Sequence, residues 1–375
     1  MPMTKRSAWP VLIALALAGP AGAAEPLKIG LAVPLSGPDA GFGQGARFGA
    51  EQAVADINRA GGVAGRRLQL VVQDDAADPK QAAAAARRLA EGGVRFVVGH
   101  LTSGAAATAS PVYEEAGIVA VTPGATWPPL TRRGAALLFR LAGSDAQQGA
   151  LGGALLAERF GTKPVAIVHD RTSFGRALAD EAARTLRARG GQERLFEGVS
   201  RDDRETAALV AKLRALGIEA VYFGGLSAPA AGLIRAMREA GLGATVIGSD
   251  GLLDKDFPQA AGPGAEGTLM TLAPAPPRLP EPRGAAKASR GPEAEMFAAQ
   301  AYAAVEVVRR GIEGARSVEP ARVAAFLHGG TPLRTVLGDL AFDGRGDLAK
   351  APFAVVAWRK LPDGRIDFAG HDVSP

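Results

Sequence analysis

Short Val- and Ile-rich runs alternate with Ala-rich amphipathic stretches from Leu27 onward, and this alternation limits the chain to few folds. The runs Leu27–Val33, Leu68–Gln73, Arg95–Val98 and Ile118–Val121 are apolar without a two-residue period. That pattern predicts strands covered on both faces, as in a parallel sheet. Between them, Gln44–Arg59, Pro79–Glu91 and Ser103–Glu115 predict helices, with Gly61-Gly62, Gly92-Gly93 and Gly117 as left-handed stops. Near Asp145 the pattern restarts. Strands are expected at Val165–His169, Arg194–Val199, Ala220–Phe223, Thr245–Ile247 and Thr268–Leu272. Helices are expected at Phe174–Arg189, Arg204–Leu216 and Pro229–Ala240. Phe42-Gly43 and Phe174-Gly175 occupy matching places, each read as part of the loop between a first strand and its helix. An α/β fold of two doubly wound, Rossmann-like lobes accounts for both the repeat and the 375-residue length. Six prolines between Pro274 and Pro292 read as an exposed loop. A long helix at Glu293–Gly311, a shorter one at Pro320–His328 and terminal strands around Leu340, Phe342 and Phe353–Trp358 follow.

Residues 1–24 read as a secretory signal: Lys5 and Arg6, the apolar run Ala8–Ala18, then small residues ending at Ala24. The run is too short for a permanent span. Without it, 41 cations face 38 acids, a net charge of +3 rather than the +5 of the whole chain. The basic residues are scattered and aromatics make up only 5% of the chain, so no nucleic-acid footprint is present. Cysteine is absent, which excludes disulfides, thiolate metal sites, a cysteine nucleophile and a lipid-modified cysteine. The expected compartment is the periplasm, with no direct insertion into the membrane; an exoprotein is the alternative.

Gly41-Phe42-Gly43-Gln44-Gly45-Ala46 fits the loose dinucleotide pattern, but Pro34–Ala40 separate it from its strand and no tight first turn remains. No cofactor is expected. Ser103, Asp145, Asp170 and His169 or His100 could supply a hydrolytic triad, yet G-x-S-x-G does not occur, nor does H-E-x-x-H. The chain is not read as an enzyme, and no metal site is expected. Polar groups gather instead at strand carboxyl ends: His100-Leu101-Thr102-Ser103, and Thr122-Pro123-Gly124-Ala125-Thr126. Open α/β sheets bind ligands there. Ser103 suits a carboxylate at a helix start, or simply caps that helix. In the second lobe Phe174, Leu226 and Ser249-Asp250 form the matching edge, an apolar wall with one acid for an ammonium group.

These residues resemble the leucine/isoleucine/valine-binding proteins of bacterial ABC importers. The similarity is carried by Ser36-Gly37-Pro38 through Phe42-Gly43, and by Gly49–Asn58 with Gly61-Gly62. It continues through Asp74-Asp75 with Asp78-Pro79, Val98–Ser103, Thr122–Thr126, Ile167–Asp170 and Tyr222–Gly225, spanning about Leu27 to Trp358. The resemblance implies a Venus-flytrap pair of lobes joined by three crossovers, near Gly143–Asp145, Leu272–Ala273 and Gly338–Leu340. One lobe would be 25–144 with 274–337, the other 145–273 with 338–375. The ligand site implied is Ser103, Gly124, Ala125 and Thr126 on the first lobe, Phe42 beside them, and Phe174, Leu226 and Asp250 on the second. Phe297 is a looser candidate. Phe42, Phe174 and Leu226 stand where relatives often carry tyrosine, and Asp250 where the branched-chain binder has glutamate. A disulfide of some relatives would fall at Ala77 and Thr102. The partners implied are a small amino acid and the permease subunits of an importer, with the chain itself a monomer. Another small carboxylate or amide, or a sensory role at a membrane receptor, are the alternatives.

Overall fold

The computed structural model describes residues 25–368 apart from 133–135, 201–202, 255, 274–276, 278, 280–291 and 351–352. The signal expected at 1–24 and most of the proline-rich segment lie outside the described residues. Strands β1 (Leu27–Val33), β2 (Leu68–Asp74), β3 (Phe96–Gly99), β4 (Val119–Thr122) and β5 (Leu138–Arg140) form one sheet, all parallel, in the order β2-β1-β3-β4-β5. Their crossovers run through α1 (Ala40–Arg59), α2 (Pro79–Glu91), α3 (Ser103–Glu115) and the short α4 (Pro129–Arg132). After α5 (Asp145–Phe160) the same order is built again. Strands β6 (Val165–His169), β7 (Glu193–Gly198), β8 (Ala220–Gly224), β9 (Thr245–Gly248) and β10 (Leu269–Leu272) stand as β10-β9-β8-β6-β7, with α6 (Ser173–Ala188), α7 (Asp203–Ala215), α8 (Ser227–Glu239) and α9 (Phe257–Ala261) between them.

The chain then goes back to the first sheet. Helix α10 (Pro292–Ala315) lies along α1, and its Ala301, Ala304, Val305 and Val308 pack with Ala46, Ala50, Ala53 and Ile57 over β1, β3 and β4. Two glycines one turn apart make this crossing possible. A Cβ at Gly45 or Gly49 would overlap the backbone of Ala294 or Ala298. Helices α2 and α3 cover the opposite face through Ala82, Ala86, Leu89, Ala105 and Ala109. In the second lobe α7 and α8 cover one face, α5 and α6 the other. Both sheets are therefore buried on two sides, which is why their strands carry no alternation.

Several local expectations shift. Phe42 is not in a loop, since α1 begins at Ala40. Phe174 stands at the start of a helix, as the expected span Phe174–Arg189 has it, rather than in the preceding loop, so both rings stand in a first helical turn. The glycines around Phe42 depress helix propensity, yet Gly43 is needed because any side chain there would meet the Pro34 backbone. Helix α11 (Pro320–His328) is followed by the hairpin β11 (Leu333–Thr335) and β12 (Gly338–Leu340). Phe342 and Leu348 then join the first lobe's core, so the third crossover falls after Leu348 rather than near Gly338–Leu340, and 338–348 pack with the first lobe. Strand β13 (Ala354–Ala357) closes the second sheet antiparallel to β10. Among the described residues no helix is long and apolar enough to cross a membrane, and no three acids, histidines or cysteines gather to hold a metal.

Candidate functional site

The carboxyl ends of the two sheets face one another across a cleft of about 770 Å³. Phe42, Ser103, Gly124, Thr126, Phe174, Leu226 and Asp250 all line it. Ala125 does not. Its side chain is buried among Ala120, Leu130 and Leu138, its N–H donates to Thr122 Oγ1 (3.0 Å) and its carbonyl faces Arg140.

On the first lobe the chain turns from β3 into α3 through Gly99–Thr102. Thr102, not Ser103, holds the cap position, so Ser103 is the first helical residue and its hydroxyl is released from capping. That hydroxyl accepts from the Thr126 and Trp127 amides, each at 3.2 Å. The bonds tie the β3–α3 turn to the β4–α4 loop and leave the Ser103 O–H able to donate into the cleft. The first amides of α3 have no intrahelical acceptor and carry the positive end of its dipole. Gly124 is required where it stands: a Cβ would come 2.7 Å from the Phe297 ring and 2.9 Å from the Leu101 carbonyl.

A fully buried relay lies behind this turn. His100 Nδ1 is 2.6 Å from Asp75 Oδ2, its Nε2 is 2.9 Å from the Tyr113 hydroxyl, and Thr122 Oγ1 donates to the His100 carbonyl at 2.6 Å. Burial, with the Asp75 charge, pushes the Tyr113 phenol up. The relay joins the loops after β2 and β3, the same two loops that carry Ala77 and Thr102. His100 is therefore a structural residue. His169 is also taken, its Nδ1 accepting from the Arg171 amide at 3.0 Å.

On the second lobe Asp170 organises the wall. It accepts from Thr172 N (3.0 Å), Thr172 Oγ1 (2.6 Å) and Leu226 N (3.0 Å), fixing the α6 start that carries Phe174 against Leu226. Asp250 follows β9 and starts a short 3-10 turn. Burial raises its carboxyl to about 6, although the Gln148 side chain and the Gly251 amide favour the charged form. Oδ1 of Asp250 is buried without a partner. Helix α10 completes the cleft with Met296 and Phe297, the latter's ring centroid 5.5 Å from that of Phe42. Leu101, Asp39, Ser227 and Asp254 line it as well; Ser227 Oγ donates to Asp254 at 2.7 Å. Of these, Met296 carries no motif in the sequence and could be found only by the packing of α10 on α1.

Phe42 and Leu226 are among the few exposed large apolar side chains, at 36% and 44%, and both stand at the cleft. Hydroxyls and helical amides oppose the Asp250 carboxylate across an aromatic-lined gap. Such a pair of lobes defines a two-lobed solute-binding protein. The periplasmic binding protein family model matches residues 26–365, and the chain belongs to that family.

Relatives are similar along nearly their whole length. The chain is 40% identical, over 353 residues, to a leucine-, isoleucine-, valine-, threonine- and alanine-binding protein of Pseudomonas aeruginosa, covering 92% of this chain and 94% of that one. A Leu/Ile/Val-binding protein homolog of Brucella melitensis is 38% identical over 360 residues, covering 96% and 97%. Among solved structures, an ABC transporter substrate-binding protein of Desulfitobacterium hafniense in complex with leucine superposes with a TM-score of 0.72 at 26% identity, covering 92% of this chain and 99% of that one.

Proposed function

We propose that this chain captures a hydrophobic α-amino acid, of the branched-chain type, between its lobes in the periplasm and delivers it to an ABC importer. The observation that carries the reading is the opposition of Ser103, Gly124 and Thr126 to Asp250 across one cleft. The ligand carboxylate would take the Ser103 hydroxyl and the α3 amides, and its ammonium the Gly124 carbonyl, Thr126 and Asp250. Phe42, Phe174, Leu226, Met296 and Phe297 would receive an aliphatic side chain. No bond is made or broken. Binding would draw the lobes together about the crossovers, because only the closed form satisfies both ends of the ligand. The names of the Pseudomonas and Brucella relatives support the ligand class, and the leucine complex supports the role in transport.

Leu226 and Phe174 offer the ligand no hydroxyl, and Asp250 reaches one methylene less far than glutamate. These residues leave room for a second reading, a small carboxylate or amide without an ammonium group. A thermal-shift panel on protein refolded to remove carried-over ligand separates the two. It would hold the twenty amino acids with aliphatic and aromatic carboxylates, amides and urea. Shifts with leucine, isoleucine or valine are expected. Shifts confined to compounds without an ammonium group would overturn the amino-acid assignment.

A further inference from the structure

Behind Asp250 lies a second set of polar groups that the ligand contacts above do not use. Asp145 opens α5 where the chain crosses between the lobes; it is fully buried, and neither carboxylate oxygen has a hydrogen-bond partner. The Tyr222 hydroxyl on β8 and Asp250 Oδ1 are buried and unpartnered too. Burial and then the Asp250 charge raise Asp145, and burial with the charges of both acids pushes the Tyr222 phenol up. Thr126, on the loop that also carries the proposed ammonium acceptors, stands beside Asp145 and favours its charged form without closing a bond of normal geometry.

No counter-cation is free to serve this pair among the described residues. The Arg140 charge favours ionised Asp145 from a distance, but its donors are taken: Nε donates to Asp347 (2.9 Å), Nη1 to the Trp127 carbonyl (2.9 Å) and Nη2 to Thr131 (2.7 Å). Gln148 is neutral, and its amide donates to the Thr271 carbonyl at 2.9 Å. Asp145 is shut from water and Asp250 has one oxygen buried at the wall of the cleft; two such neighbouring carboxylates, with no cation of their own, ionise together only at high cost. One proton between them leaves a single negative charge. If an ammonium arrives and the proton departs to solvent, two carboxylates and one ammonium again sum to one negative charge. The exchange conserves the charge of the pocket.

We propose that Asp145 is a positioning residue of the ligand site, sharing one proton with Asp250 in the unliganded protein, and that the ligand's ammonium group displaces this proton. Ionised Asp145 then accepts from the Thr126 hydroxyl, which turns the lone pairs of Thr126 Oγ1 toward the ammonium. The inference rests on the amino-acid reading above. Burial places the two acids near neutrality, Asp145 at about 7 and Asp250 at about 6, which sets the pH at which the exchange is read.

The test is calorimetric titration of the refolded protein with L-leucine in buffers of different ionisation enthalpy, from pH 5 to 8. The wild type is expected to release on the order of half a proton per leucine, peaking between about pH 6 and 7. Asp145→Asn, which cannot hold the proton, should release less than about a third as much. A purely structural Asp145 would let the variant change affinity while keeping the wild-type proton count, and that result overturns the proposal. Wild-type release that is absent, or confined below about pH 5, overturns it even if the variant does not fold. If leucine does not bind, the ligand assignment fails separately, and the shared proton is read in the unliganded protein. Its melting temperature should then fall from pH 5 to pH 8, more steeply in the wild type than in Asp145→Asn. Parallel profiles would overturn the proposal there.

Discussion

Replacing Asp250 by Asn should make the unliganded protein more stable while removing its ability to bind. The wild-type carboxyl is pushed by burial to about 6, against 3.8 for an exposed aspartate. The folded protein thus binds this proton more tightly than the unfolded chain, and stability is lost as pH rises from about 4 to about 6. At about 1.4 kcal/mol for each factor of ten, holding the charge at neutral pH costs on the order of 3 kcal/mol. Asparagine has nearly the same shape but weakens the bonds from Gln148 and Gly251, so a net gain of about 2 kcal/mol is expected at pH 7.5. For a domain of this size that is roughly 4–8 °C in melting temperature. At pH 4 the gain should vanish, since the wild-type acid is then already neutral. L-Leucine at about 100 times the wild-type Kd should stabilise the wild type by roughly 2.7 kcal/mol. The variant should keep no more than about 0.9 kcal/mol of that shift, because losing a buried charge partner costs on the order of 2–5 kcal/mol of binding. Calorimetric melts at pH 4 and 7.5, with and without leucine, measure all of this. An Asn variant no more stable than wild type at pH 7.5, or one that keeps its leucine shift, would refute the reasoning.

Ser103→Ala removes the acceptor of two amides and the proposed donor to the ligand carboxylate; titration should show leucine affinity reduced by roughly 10- to 100-fold, with about 1 kcal/mol lost from the unliganded fold. In Gly124→Ala the new methyl meets Phe297 and the Leu101 carbonyl, so that wall must move. Affinity should drop at least about tenfold, more than the melting temperature of the unliganded protein would suggest. His100→Ala orphans Asp75 and the Tyr113 hydroxyl in a dry interior and should cost roughly 3 kcal/mol by urea unfolding. A loss below about 1 kcal/mol would mean that water replaces the imidazole.

Much of the fold was legible because a strand buried on both faces must be apolar throughout and a covering helix must show one apolar stripe. Strands β1 and β6 and helices α2, α3 and α11 stand at the residues read from sequence. Helix α5 was missed, although Ser144 and Gln147 form a capping box whose spacing is local: Ser144 Oγ accepts from Gln147 N, and Gln147 Oε1 from Ser144 N. That Ser103, Gly124 and Thr126 stand at strand ends and line the cleft was legible because loop position follows directly from strand position.

What sequence alone determined is therefore the two like lobes and the chemistry available at their edges. Only the tertiary structure decided the rest. That α10 returns to lie on α1 and brings Phe297 to Phe42 depends on a close crossing at Gly45 and Gly49. That 338–348 stay with the first lobe depends on Phe342 and Leu348 finding its core. Above all, Asp145 shows in the sequence only as an acid near a crossover and a candidate for a triad that nothing else completes. It stands fully buried within reach of the Asp250 charge, with neither carboxylate oxygen partnered. Periodicity records which face of an element is buried; it does not record which buried groups meet, since that depends on contacts between residues distant in the chain.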